Sequence, residues 1–352
     1  AGFSIVSYSG NNASSATIGH GLNSAPELIF TKARNFGAGW PTMVKTASAS
    51  LYGLRLNSSS ANDAGNGSVF YNNTAPTASV YTVGGSDEIN DGYNYISYCF
   101  HSVNGYQKIG TYTGTGASGV EVETGFEPAF LMIKNTDSAH DWVIFDNKRD
   151  VANPRDSKLS PNTAGTEFSS TSIEIDFASN GFIIQGTDDA INDTNETHIY
   201  LAIAADPDTT TPTVENSFDV VTYTGNNGTQ SIDTDFKPDL IWIKNRTSSQ
   251  SHRIIDSVRG DFNLLFPDLT NANDGPSSSY PSIISNGFQL NSSESNASST
   301  NYVAWCWKAG DHDDNLPQIN TEGTIDSVVS VNDAAGFSIV KYTGNGGSGQ
   351  SI

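Results

Sequence analysis

The chain has 352 residues, with 38 acidic side chains against 17 basic ones and a formal net charge of −21. That balance repels phosphate backbones and anionic membrane surfaces, which speaks against a nucleic-acid partner, and no apolar run reaches the roughly eighteen residues of a membrane span. With 36% apolar and 16% charged residues the chain is globular. Asn, Ser, Thr and Gly supply its polar surface and favour turns over helix interiors.

The first predicted strand, GFSIVSYSGN (2–11), alternates Phe3 and Ile5 against Ser4 before Tyr8 and a Gly-Asn turn. It returns as YQKIGTYTGT (106–115), FDVVTYTGNN (218–227) and GFSIVKYTGN (336–345), so that Tyr8, Tyr112, Tyr223 and Tyr342 share one register. A second strand passes through Ile18 or Ile232, and Pro26, Pro128 and Pro238 then each precede an apolar run ending at Lys32, Lys134 or Lys244. Those runs are apolar on both faces, which predicts a central strand covered on each side. GWPTMV (39–44), DWVIFDNKRD (141–150) and SHRIIDSVRG (251–260) read as a strand and a turn, and SNGF (179–182, 285–288) as a turn feeding a strand. NYISYCF (94–100), HIYLAIA (198–204) and NYVAWCW (301–307) close the units.

The predicted class is all-β: tandem antiparallel β-sandwich domains of jelly-roll or lectin-like type. Self-similarity at domain length, about 100–120 residues, makes each unit a domain of its own. The boundaries are 1–104 for module 1, 105–216 for module 2 with a Pro/Thr linker (206–216), 217–334 for module 3 with an acidic joint, and 335–352 for the first strand of a fourth. A short apolar strand at 325–331 is expected inside that joint. Residues 102–105 fuse modules 1 and 2 tightly, and the expected shape is an elongated rod. Ala1 and Ile352 fall inside predicted strands, so the chain is expected to be part of something longer.

Few residues form a constellation with chemistry. Asp146 and Asp256 align, each followed three residues later by Arg149 or Arg259, with Val44 at the aspartate's place in module 1. A general base is one reading; the expected one is a turn pinned after a strand. Glu27, Ala129 and Asp239 share a register, so no carboxylate recurs there, and no pair of the glycosidase kind repeats. His20, His101, His140, His198, His252 and His312 occupy six registers without a triad or metal spacing. Asp188, Asp189, Asn192 and Asp193 in one loop, and Asp311, Asp313, Asp314 and Asn315 in a joint, are oxygen-rich enough for calcium but lack the EF-hand pattern. Trp40 and Trp142 align, with His252 in module 3; packing is expected rather than sugar stacking. Trp305 and Trp307 share a strand face and are expected in a core or between domains. Cys99 and Cys306 align with each other and with Ala204, and are expected to be small buried residues without a disulfide. Asn72, Asn195 and Asn296 head Asn-x-Ser/Thr sequons. No catalytic, cofactor-binding or metal residue is assigned.

Taken together, AGFSIVKYTGNG, the IGHGL…P…K segment (18–32), DWVIFDNKRD, SNGF and NYVAWCWKAG resemble the repeat modules of large tail-fibre and virion structural proteins of marine tailed bacteriophages. The likeness runs over the whole chain with the motifs in one order, and module 1 departs most, through its Asn/Ser/Ala-rich stretch (57–68). It implies a non-enzymatic structural and adhesive protein at the virion surface. The implied partners are other fibre subunits, a homo-oligomer, and a host surface glycan or receptor touched by variable loops. A bacterial or archaeal extracellular adhesin or filament subunit is the alternative, and a polysaccharide-degrading enzyme the third.

Overall fold

The computed structural model describes residues 2–45, 51–62, 64–204, 217–260, 263–291, 294–309, 318–320, 327–332 and 337–342. The chain is all-β, built from tandem antiparallel sandwiches. In module 1 the larger sheet runs Phe3–Ser9, Asn94–Phe100, Leu28–Ala33, Pro41–Lys45, Leu51–Arg55. In module 2 it runs Gln107–Thr113, Thr197–Ala204, Pro128–Asn135, Val143–Asp146, and in module 3 Phe218–Thr224, Asn301–Trp307, Leu240–Asn245, Arg253–Asp256. The opening strand thus pairs with the closing strand, and that strand with the central run, three times over. The sequence repeat is a repeat of topology.

A smaller sheet faces each of these: Ser15–Gly19 with Val80–Gly84, then Val120–Glu123, Gly181–Ile184 and Ile175–Ala178, then Gln230–Asp233, Gly287–Leu290 and Ser282–Ile284. Among the described residues module 1 has two strands here where the others have three, and it carries a helix, Ala64–Tyr71, in the region where it departs from the repeat. Phe70 and Tyr71 of that helix are buried in the module's core. Gly84 and Gly53 permit its close approach, because a Cβ on Gly84 would lie 2.1 Å from the Val69 carbonyl oxygen and one on Gly53 2.3 Å from the Gly67 nitrogen.

Alternation along the strands divides the apolar residues into two sets. One face of each large sheet fills that module's own core: Val6, Tyr8, Ile29, Tyr95 and Cys99 in module 1, Leu131, Ile133, Phe145 and Ala202 in module 2, Ile241, Ile243, Tyr302 and Cys306 in module 3. The other face is equally apolar. Phe3, Phe30, Trp40 and Tyr98 meet Phe130, Met132, Trp142 and Leu201, and Trp242, Trp305 and Trp307, in one core shared by all three modules. Phe30 stands edge-on to Trp142, Phe130 to Trp305, and Phe3 lies 6.1 Å from Trp307.

The expected rod is therefore corrected. A row of beads keeps module 1 away from module 3, yet their side chains touch directly. The second face of each central run needs a cover, and the other two modules supply it. Strand pairing also corrects one alignment: Leu201 sits opposite Ile109 as Tyr98 does opposite Ile5 and Trp305 opposite Val220, so Ala202, not Ala204, corresponds to Cys99 and Cys306.

Beyond module 3, Phe337–Tyr342 pairs in parallel with Phe3–Ser9, and Ser327–Asn332 pairs antiparallel with it. The latter is the strand expected near 325–331. The Pro/Thr linker at 206–216 and the acidic joint residues Asp311, His312, Asp313, Asp314 and Asn315 lie outside the described residues.

A shared core makes the modules one cooperative body. Cutting the chain at a specific protease site placed within 205–216 should leave the two pieces co-eluting on size exclusion until denaturant is added. Separate elution in native buffer would show that the interface does not hold them.

Candidate functional site

The polar groups that recur in the sequence gather where modules meet. Lys32, Lys134 and Lys244 end the central strands, are fully buried, and make one kind of contact three times. Lys32 Nζ donates to the carbonyls of Ala38 (2.8 Å) in its own module and Thr270 (3.0 Å) in module 3. Lys134 Nζ donates to Asn135 (2.6 Å) and, across the joint, to Ser59 (3.2 Å) of module 1. Lys244 Nζ donates to Gln250 and to Ala164 (3.1 Å) of module 2. Each module reaches the one before it, and module 1 reaches module 3, so the contacts close a cycle.

The aligned Trp40, Trp142 and His252 follow the same order. Trp40 Nε1 donates to the carbonyls of Phe266 and Leu269, Trp142 Nε1 to that of Arg55, and His252 Nε2 to that of Ser160 at 3.1 Å. His252 Nδ1 accepts from Trp242 Nε1 at 2.9 Å, which fixes its tautomer, and burial keeps the imidazole neutral with a pKa well below its ordinary value. These are packing residues, as expected, and they pack between modules.

Asp146 and Asp256 pin the turns that follow their strands. Asp256 Oδ1 accepts the Arg259 amide at 2.8 Å and Oδ2 its Nε at 2.5 Å; Asp146 holds Arg149 at the same distances. All four side chains are buried. Burial works against the Arg149 and Arg259 charges, and the adjacent carboxylates more than offset it, raising both pKa values. Each aspartate also crosses a joint: Tyr98 Oη donates to Asp256 Oδ2 (3.3 Å) and Trp305 Nε1 to Asp146 Oδ2 (3.1 Å). At the third joint the corresponding residues are Leu201 and Val44, which line one apolar pocket. Donor and acceptor are lost together there, so no buried polar atom is left unpaired.

A second recurring device lies at the loop ends of the sandwiches. Tyr8, Tyr112 and Tyr223 donate to the carbonyls of Ile89 (2.6 Å), Ile191 (2.6 Å) and Ser295 (2.9 Å). The next residues, Asn90, Asn192 and Asn296, are buried, and each amide bridges to the turn after the opening strand. Asn192, for example, accepts from Thr115 N (2.9 Å) and donates to Ala117 O (2.9 Å). Gly10, Gly114 and Gly225 lie so close to this loop that a Cβ would stand 1.9–2.2 Å from a carbonyl oxygen. This Tyr–Gly–Asn latch was not recognised in the sequence, although Ile-Asn-Asp at 89–91 and 191–193 was there to align.

The latch reassigns two expectations. Asn296 is engaged through both amide atoms and is no glycosylation acceptor in the folded chain. Asn192 is no calcium ligand, and Asp188 is a cap, accepting from Ala190 N. Asp189 and Asp193 instead lie with His140, their ligand atoms all within 4.8 Å. One imidazole with two carboxylates is a donor set closer to that of a transition metal than of calcium. Glu27 and Asp239 share a duty that their register did not suggest: Glu27 Oε2 accepts from Ser102 N (2.6 Å) and Asp239 Oδ2 from Ala309 N (2.6 Å), each tying the chain that leaves the closing strand. Burial raises the Asp239 pKa to about 6. Cys99 and Cys306 are buried free thiols. His20 and His198 are buried and bonded to backbone groups, and His101 is buried beside Ser102.

The chain belongs to the family described as Domain of unknown function (DUF7483), whose model matches residues 1–207 and again 214–352. No curated protein matches it. Among solved structures it is similar to a chain from the work titled "The Triple Jelly Roll Fold and Turret Assembly in an Archaeal Virus", at 11% identity over 83% of this chain and 80% of that one, with a TM-score of 0.14. Among the described residues no helix is long and apolar enough to cross a membrane.

Removing one partner of a buried ion pair strands the other. Asp256→Ala should cost about 3–5 kcal/mol in urea denaturation. The triple change Tyr98→Leu, Asp256→Val, Arg259→Ala, which copies the apolar joint, should cost less despite altering more; equal losses would contradict the pinning role.

The lysines predict a pH effect of unusual sign. Burial lowers each pKa from 10.5 to about 8. Between those values the unfolded chain binds protons that the folded chain does not, so stability rises with pH from about 8 toward 10. The limiting slope is about 1.4 kcal/mol per pH unit for each lysine. Urea midpoints at pH 7.5, 8.5 and 9.5 should climb, and Lys→Met at all three positions should abolish the climb.

Proposed function

We propose that this chain is a structural and adhesive building block of a tailed-phage virion, carried on a fibre or similar appendage at the particle surface. The observation that carries this reading is where the repeated polar groups stand. The lysines, the Asp–Arg pairs and the Trp40/Trp142/His252 register hold module to module, and the Tyr–Gly–Asn latch holds loop to sheet. An arrangement that commits its recurring polar side chains to joints serves mechanical integrity. The resemblance of the strand, turn and closing-strand motifs to phage fibre modules supports the same reading, and the net charge of −21 suits a surface kept soluble by its own repulsion.

The shape that follows is a three-module block rather than a thin rod. Loops between strands that do not enter the joints can vary without disturbing the cores, and they are the surfaces offered to a host glycan or receptor.

Immunogold electron microscopy with antibody against the chain tests the assignment. Label on appendages of purified particles is the expected result. Label confined to the cell envelope would overturn it in favour of a cellular adhesin.

A further inference from the structure

The three opening strands end differently. Among the described residues Gln107–Thr113 and Phe218–Thr224 terminate their sheets. They carry Lys108 and Asp219 at their second position, a charge of the kind that guards an edge against further pairing, and Lys108 is exposed. Phe3–Ser9 has Ser4 there instead, and its residues from Phe3 to Tyr8 are all buried. Its outer edge is occupied by Phe337–Tyr342, in parallel and in register: Phe3 opposite Phe337, Ser4 opposite Ser338, Ile5 opposite Ile339, Val6 opposite Val340, Ser7 opposite Lys341. Four of these five pairs are identical residues. The unguarded edge and the strand that takes it are therefore matched copies of one sequence.

We infer that this edge is a docking site for the corresponding strand of a second copy of the chain, so that Phe337–Tyr342 of one molecule adds to Phe3–Ser9 of the next. The main-chain ladder and the register are the same whether the donor arrives from its own chain or a neighbour's, and exchange of an identical element between copies is a low-cost route to association. Donor and acceptor are different segments, at 337–342 and 3–9. The contact is consequently head-to-tail, leaves an acceptor free at one end and a donor at the other, and propagates into an open string of three-module blocks. Lys108 and Asp219 keep the equivalent edges of modules 2 and 3 out of this pairing, which confines growth to one direction. The inference stands on strand pairing alone and holds for a virion or a cell-surface protein.

Variants with one added cysteine, made in a Cys99→Ala, Cys306→Ala background, test it. Ser7→Cys and Lys341→Cys are made in separate copies, mixed at high concentration under mild oxidation and run on a non-reducing gel beside the double variant. A reducible dimer from the mixture, and a ladder of reducible multimers from the double variant that grows with concentration, are expected. Val340→Pro in the donor copy should abolish both, because proline breaks the ladder. A double variant that forms only an internally bridged monomer at every concentration, with no dimer from the mixture, overturns exchange between copies. No bridge of either kind overturns the pairing itself. Immunogold labelling is indifferent to both results, so the two readings fail separately.

Discussion

The second apolar face of each large sheet is the constraint on which the architecture depends. A sandwich needs one apolar face per sheet, and here Val6, Ile29 and Cys99 suffice for module 1, as Leu131 and Ile133 do for module 2. Phe3, Phe30, Tyr98, Phe130, Trp305 and Trp307 are surplus to that need. Left in water, such faces would exceed the few hundred Å² of contiguous apolar surface that a monomeric protein tolerates. Turning the three faces toward one another removes all of them from solvent at once. Each module has its own core and lacks an independent surface, so it is a domain by topology and a fragment by energetics.

Such an interior leaves little room for polar groups, and the ones that recur at the joints are paired, while the Trp307 indole Nε1 is buried in the same core without a hydrogen-bond partner. Lys32, Lys134 and Lys244 bring charge to the joints without a carboxylate bonded to Nζ; carbonyl oxygens from two modules accept their hydrogen bonds, and burial lowers their basicity. Asp146 and Asp256 are each satisfied by an arginine below and an aromatic donor from the next module. Where Val44 replaces the aspartate, Leu201 replaces the donor. A half-made version of this contact would leave an indole or phenol donor, or a carboxylate, buried and unpaired, at a cost of about 1–3 kcal/mol or more. The joints thus exist in two self-consistent forms and in no mixture of them.

Much of this was legible in the residues. The recurring Tyr-x-Gly end of the opening strand, the proline-led apolar runs and the closing strands were read as strands in the right order, and the two-faced runs were read as covered on both sides. The nature of the cover was not legible, because alternation reports that a face is buried without saying against what; hence the rod. The latch asparagines were hidden by composition, since Asn90, Asn192 and Asn296 look like any loop residue in an Asn-rich chain, and two of them, Asn192 and Asn296, head sequons. The module 1 helix was hidden by propensity. Ala-Gly-Asn-Gly-Ser is a poor helical start, and burial of Phe70 and Tyr71 overrides it. The correspondence of Ala202 with Cys99 and Cys306 follows from pairing with the opening strand, which the closing strands' own residues do not reveal.

The direction of the joints carries a further consequence. Modules 1 and 2 are adjoined through residues 102–105, and modules 2 and 3 through the longer stretch that ends at 216, while modules 3 and 1 meet with no direct covalent link between them. The same lysine-to-carbonyl contact nonetheless forms at all three joints, and the Trp40/Trp142/His252 contact forms with it. Chain connection therefore does not create the interface; the module surface does, and the linkers have only to be long enough to allow it. A surface that bonds head to tail with its own kind and closes after three copies satisfies itself within one chain. What it leaves outward are loops anchored by the Tyr–Gly–Asn latch and, on the first strand, the edge that Phe337–Tyr342 takes. Variation in the first and pairing at the second can then proceed without loosening the core that holds the three modules.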